Sequence, residues 1–167
     1  DEDPQVPEKK AVKAISRFLK LHPHNVSQKV KIIVEHFRNN TQHKIGGKAK
    51  AMIVTSSRSH AVRYKKALDG YIEENSYDLS ELVAFSGTVE DDGESYTEEG
   101  MNDGIKESER PNAFDSQAHQ ILVVADKYQT GFDQPLLHTM YVDKKLSGIQ
   151  AVQTLSRLNR QHPGKED

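Results

Sequence analysis

The residues best suited to chemistry stand in QAVQTLSRLNR, residues 150–160. Read as a helix, Gln153, Arg157 and Arg160 fall at i, i+4 and i+7 and share one stripe. Ile149, Val152, Leu155 and Leu158 form the apolar face that such a helix buries. No Asp or Glu lies between Ser147 and Pro163. Two guanidinium groups and an amide on one stripe, without acids at i±3 or i±4, suit an anion supplied from elsewhere. From this helix alone, a solvated face or pairing with acids distant in sequence is the favoured reading.

Further polar groups follow short apolar runs. Ser56-Ser57-Arg58 comes after AMIVT (51–55), and Ser86-Gly87 after LVAF (82–85). Asp126 through Asp133, including Thr130 and Gly131, comes after ILVVA (121–125), and Asp143-Lys144-Lys145 after TMYV (139–142). Hydroxyls and backbone N–H groups at helix starts suit phosphate oxygens. A carboxylate suits a ribose hydroxyl, and paired arginines suit a terminal phosphate. Gly46-Gly47-Lys48 is not a phosphate loop, because Gln42 and Ala49 stand where that pattern needs Gly and Ser or Thr. It reads as a turn. The eight histidines show no HxxxH on one helix and no cysteine support, so no metal site is expected. No GxSxG elbow is present.

These groups need a scaffold. The four runs are apolar at every position, the habit of strands buried on both faces in a parallel sheet. Ala61, Tyr64, Leu68 and Ile72 mark a helix between the first two runs, and a short helix near Pro111 includes Phe114. Upstream, Ala11, Ala14, Ile15, Phe18 and Leu19 mark one helix. Val26, Val30, Ile33, Val34 and Phe37 mark a second, with Asn25 and Gln28 placed as a capping box. The expected fold is α/β, a three-layer parallel sheet flanked by helices and preceded by an N-terminal helical pair. The chain is expected to be a single domain, 1–167, with helices at 1–45 and an α/β core at 46–167. Residues 86–106 hold seven acids and four glycines, with no base before Lys106, and read as a long exposed loop.

At 167 residues and 18.8 kDa the chain is long enough to bury a core, despite a mean hydropathy of −0.76. The absence of Cys excludes disulfide scaffolds and thiol chemistry and suits a reducing compartment. No apolar run approaches the ~18 residues of a membrane span. The net charge of −2 hides a partition: 15 Lys/Arg against 5 Asp/Glu in 1–66, then 2 against 15 in 67–119, then 6 against 5 in 120–167. The basic third could face nucleic acid, or simply water. Beginning at Asp and ending on HPGKED, the sequence is expected to be part of a longer protein.

Three stretches carry a resemblance. ILVVADKYQTGFDQP resembles motif V of the motor (R) subunit of type I restriction enzymes, QAVQTLSRLNR resembles motif VI, and MIVTSSR resembles motif IV. FLKLHPHNVSQKVKIIVEHF is similar to the same subunit, so the likeness covers nearly the whole chain. The commoner superfamily 2 motif VI is QxxGRxGR. Ser156 and Asn159 replace its glycines here, as they do in this restriction family.

The resemblance implies a second RecA-like helicase lobe, a P-loop NTPase-like fold lacking the P-loop itself. Such a lobe completes an ATP site whose phosphate-binding Lys and Mg²⁺-binding acid belong to a missing first lobe. It implies that Gln153, Arg157 and Arg160 face the γ-phosphate, with Arg160 as arginine finger. Asp133 and Gly131 would lie at the nucleotide, and Thr130, Thr55, Ser56 and Gly87 at the DNA backbone. Implied partners are double-stranded DNA, the first lobe and nuclease domain of the parent chain, and methyltransferase and specificity subunits, in the cytoplasm of a bacterium or archaeon. The fragment alone is expected to be inactive. Alternatives are a lobe of another superfamily 2 translocase, a flavodoxin-like nucleotide-binding domain, or a docking module using the acidic 86–106 stretch.

Overall fold

The computed structural model describes residues 25–125 and 134–143. Among these, four strands form one parallel sheet: β1 (Lys50–Thr55), β2 (Glu81–Ala84), β5 (Ile121–Val124) and β6 (Leu137–Asp143), in the order β2-β5-β1-β6. Registers run Ala51↔Ile121, Ala51↔Thr139 and Glu81↔Ile121. The expected parallel α/β layering is present and compatible with a RecA-like domain.

The unbroken apolar runs follow from burial on both faces. Ala51, Ile53, Val83, Ile121, Val123 and Tyr141 point to one core. Met52, Val54, Leu82, Leu122, Val124, Met140 and Val142 alternate into the other. Helices α1 (Val26–His36) and α2 (Arg58–Glu74) cover the first face with Val30, Ile33, Val34, Ala61, Tyr64 and Leu68. Each large side chain so removed from water contributes about 1.5–3 kcal/mol.

Helix α1 starts at the expected capping box, with Gln28 N–H donating to Asn25 Oδ1 at 2.8 Å. It runs into a π-turn, Phe37–Thr41, and a kinked turn, Lys44–Gly47, where Gly46 and Gly47 take φ of +63° and +83°. The glycine pair is thus the turn that its composition suggested. Helix α1, with the π-turn that continues it, and β6 run in opposite senses and are tied at three levels. Lys29 Nζ meets both Asp143 oxygens at 2.7 and 2.8 Å. His36 Nδ1 lies 2.9 Å from Tyr141 Oη, and Thr41 Oγ1 lies 2.8 Å from Thr139 Oγ1. The residues on β6 alternate, 139, 141 and 143, so one strand face supplies all three ties.

The expectation of a long loop at 86–106 is corrected. Strands β3 (Thr88–Asp91) and β4 (Glu94–Thr97) pair as an antiparallel hairpin, followed by a helical turn, α3 (Glu98–Met101). Asp92 and Gly93, at φ of +53° and +81°, form the two-residue turn. Positive φ at both central positions is what an Asp-Gly hairpin turn provides. Arg63 Nη2 on Asp91 (2.9 Å) and Lys66 Nζ on Tyr96 Oη (3.0 Å) anchor the hairpin to α2. Its acids are therefore in part paired rather than simply solvated.

Helix α3 also closes the outer edge of β2. Asn102 accepts from Val83 N–H at 3.0 Å and donates to Val83 O at 2.8 Å, as a neighbouring strand would. Glu98 Oε1 accepts from Phe85 N–H at 3.0 Å, and its other oxygen meets Arg110, at the start of α4 (Arg110–Asp115). All three side chains are buried, so an edge that would otherwise leave backbone groups orphaned is satisfied by side chains.

At the amino end of β2, buried Glu81 lies 3.6 Å from Lys65, which also binds Asp69 at 2.9 Å. Burial, then the Asp69 carboxyl, pushes Glu81 up to about 9 against the pull of Lys65.

Candidate functional site

Because the four strands are parallel, their carboxyl ends share one edge, where open α/β sheets bind ligands. Helix α2 begins there. Ser57, in extended conformation, caps it by accepting from His60 N–H at 3.1 Å. The hydroxyls of Ser56 and Ser57 each lie 3.3 Å from His60 Nδ1. Ser56 is exposed beside the start of a 17-residue helix, where backbone N–H groups and the helix dipole favour an anion.

Arg58 lies across the same edge. Its Nη1 donates to Ser86 O at 2.6 Å, with Thr88 O at 3.5 Å, so the guanidinium straddles the turn between β2 and β3. Gly87, at the apex, has φ of +72°, and a Cβ there would stand 3.2 Å from Arg58 Nη1. The left-handed backbone favours glycine there. Among the described residues no carboxylate pairs with Arg58, and the residue is exposed. Arg63, one turn along α2, is instead bound to Asp91, whose carboxyl it holds below the usual range. Among the described residues Arg58 is thus an available cation of the edge. Sequence reasoning placed it beside Ser56 without assigning it a role; the signal was its position directly after the cap.

Of the three described residues expected at a DNA backbone, Ser56 and Gly87 are exposed at this edge and within one cluster. Thr55 does not fit a side-chain contact. It is fully buried, and its hydroxyl donates to Val124 O at 2.8 Å, with Ser57 O at 3.1 Å. It stitches the ends of β1 and β5 and leads the chain into the α2 cap. Asp143 is likewise no open edge carboxylate, being the buried end of β6, held by Lys29 and by Tyr64 Oη at 2.6 Å. Burial, then the bond to Asp143, raises the Tyr64 hydroxyl far above its ordinary value.

Thr130, Gly131, Asp133, Gln153, Arg157 and Arg160 lie outside the described residues. The chain leaves this edge toward them at Ala125, after β5, and at Asp143, the end of β6. Among the described residues no group of three or more His, Asp or Glu is placed to hold a metal ion, and no helix is long and apolar enough to cross a membrane.

Comparison with known proteins points in one direction. Residues 91–166 match the family described as type I restriction enzyme subunit R domain 3. A Methanocaldococcus jannaschii protein named as the type I restriction enzyme MjaVIIP endonuclease subunit is 35% identical over 164 residues, 90% of this chain and 15% of that protein. A second from the same organism, the MjaVIIIP endonuclease subunit, is 28% identical over 85% of this chain and 15% of its own length. The Haemophilus influenzae type I restriction enzyme HindI endonuclease subunit is 29% identical over 67% of this chain and 11% of that protein. The chain therefore spans less than a sixth of these relatives. Taken with the parallel sheet and its anion-suited edge, these likenesses show that the chain corresponds to a segment of the endonuclease (R) subunits of type I restriction enzymes.

Proposed function

We propose that the chain is the second motor lobe of an ATP-driven, DNA-translocating restriction subunit. The observation that carries the reading is the convergence of exposed Ser56, the Ser57-capped start of α2, Arg58 and Gly87 on the carboxyl edge of the sheet. Such an edge suits the sugar–phosphate backbone, which supplies anions at regular spacing without sequence information. In this reading Thr130 joins Ser56, Arg58 and Gly87 on the duplex, while Thr55 only holds the edge together. Asp133 and Gly131 lie at the nucleotide. Gln153, Arg157 and Arg160 face the phosphates of an ATP held chiefly, with its Mg²⁺, by a first lobe of the same parent chain. Nuclease chemistry, methylation and target recognition belong to other domains and subunits.

The test is made in the complete parent subunit with its partner subunits. Arg160→Ala should abolish DNA-stimulated phosphate release by roughly 10³–10⁵-fold, the range for loss of an arginine finger. Its melting temperature should stay near that of the unaltered protein. Arg160→Lys should restore little, since lysine keeps the charge but loses the planar fork. Near-normal release by the alanine variant would remove the finger assignment. The isolated chain should hydrolyse no ATP, and should bind duplex DNA weakly, with an affinity that falls steeply as salt rises.

A further inference from the structure

Arg58 is held by the turn it straddles, and that turn is held in its place by something else. Ser86 O, the near acceptor of Arg58, follows directly on Phe85, whose N–H is gripped by buried Glu98 at 3.0 Å. Glu98 is in turn fixed by Arg110, and Asn102, on the same short segment, fixes Val83 two residues upstream through both its N–H and its O. A side-chain clamp therefore holds the backbone of Val83 and Phe85 immediately before the exposed turn. After Ser86 comes Gly87, at φ +72°, where a Cβ would stand 3.2 Å from Arg58 Nη1. Phe85 is joined by one peptide bond to Ser86, whose carbonyl meets the guanidinium at 2.6 Å. The acidic stretch that encloses Glu98 thus contains a carboxylate turned inward, doing different work from the exposed acids of the hairpin.

We infer that Glu98 is a positioning residue for the DNA-facing edge, setting through Phe85 and Ser86 where Arg58 presents its charge. This rests on the reading of that edge as a phosphate-binding surface. Glu98 touches no ligand; it acts through the turn. Arg110 serves it by neutralising a carboxylate that burial would otherwise protonate. With the proton on, Glu98 could still take one N–H but would lose the charge-assisted grip that fixes its rotamer.

The experiment compares the complete subunit, assembled with its partners, as unaltered protein, Arg58→Ala, Glu98→Ala and the double variant. A further variant, Glu98→Leu with Arg110→Leu, releases Phe85 without leaving a buried charge alone, so a folding failure of Glu98→Ala does not decide the matter. Two quantities are read on duplex DNA: the concentration giving half-maximal stimulation of phosphate release, and the slope of log affinity against log salt. Arg58→Ala should raise the first on the order of tenfold and reduce the slope by about 0.9, one phosphate contact. The Glu98 variants should reproduce both changes, altering turnover at saturating DNA less than half-saturation. In the Arg58→Ala background they should add nothing to either. If Arg58→Ala leaves affinity and slope as they were, the reading of the edge itself fails. If Arg58→Ala weakens DNA but the Glu98 variants keep the original slope, the positioning role is overturned. It is equally overturned if the Glu98 effect on DNA adds in full to that of Arg58→Ala, alongside a lowered melting temperature in both backgrounds. That pattern belongs to a merely structural residue.

Discussion

Asp143→Ala should be among the most damaging single changes in this chain. Asp143 receives two bonds from Lys29 Nζ and one from Tyr64 Oη, and the Lys29 and Asp143 side chains are only 10% and 5% exposed. Removing the carboxylate leaves a nearly buried ammonium facing a cavity, and breaking one partner of such a pair costs about 3–5 kcal/mol. Stranding the Tyr64 hydroxyl adds about 1–3 kcal/mol. The residual exposure of Lys29 lets its head reach some water, which offsets part of that sum and returns the expectation to about 3–5 kcal/mol. For a domain of this size each kcal/mol moves the melting temperature by roughly 2–4 °C, so a fall of roughly 6–20 °C follows. Urea unfolding and thermal melts of the unaltered chain, Asp143→Ala, Lys29→Met and Lys29→Met/Asp143→Leu measure the cycle. The double change should recover most of the loss, because no charge is then buried alone. A cost below about 1 kcal/mol for Asp143→Ala, or a double variant no better than the worse single, would refute the argument that this pair is energetically buried.

Three further outcomes are expected. Asn102→Ala should cost about 2–4 kcal/mol in urea unfolding, because the N–H and the O of Val83 both lose their partner, and amide exchange at Val83 should speed selectively. Gly87→Ala should cost about 1 kcal/mol through its left-handed backbone, read as a small fall in melting temperature. Burial lets Glu81 keep its proton to about pH 9 in the folded chain, against the ordinary carboxylate value of 4.5. The folded state therefore binds more protons between those values, and its contribution to stability falls away as pH rises through them. Glu81→Gln should flatten the decline in melting temperature between pH 5 and pH 8.5, and an unchanged slope would show that Glu81 is ionised throughout.

Much of the scaffold could be read from the sequence because its signals are local. Runs such as ILVV and AMIVT are apolar at each position only if both faces are buried, and the structure alternates them between two cores. The Asn25–Gln28 box and the Gly46-Gly47 turn likewise depend on neighbours a few residues away. The hairpin at 88–97 was hidden by its charge: its Asp92-Gly93 turn and the alternation of TVED and ESYT were outweighed by acids, of which Asp91 finds its partner, Arg63, 28 residues earlier. The roles of Thr55 and Asp143 failed to show for a related reason. A hydroxyl or carboxylate just after an apolar run looks available until a carbonyl on β5, or Lys29 more than a hundred residues away, is seen to occupy it. The edge itself was legible as a place, through Ser56 and Gly87. Arg58 gained its part only when the turn beneath it was visible.

The three ties between β6 and the segment formed by α1 and its π-turn have a mechanical consequence. Lys29 to Asp143, His36 to Tyr141 and Thr41 to Thr139 are spaced along two rods lying in opposite senses. A pull along the rods loads all three at once, in shear, and rupture must break them together. A pull across the rods would open them one at a time, like a zipper, at far lower force. The helix and the strand therefore form a stiff beam along one axis and a compliant joint across it, and tension applied to the chain at the end of β6 reaches α1 with little stretch in between.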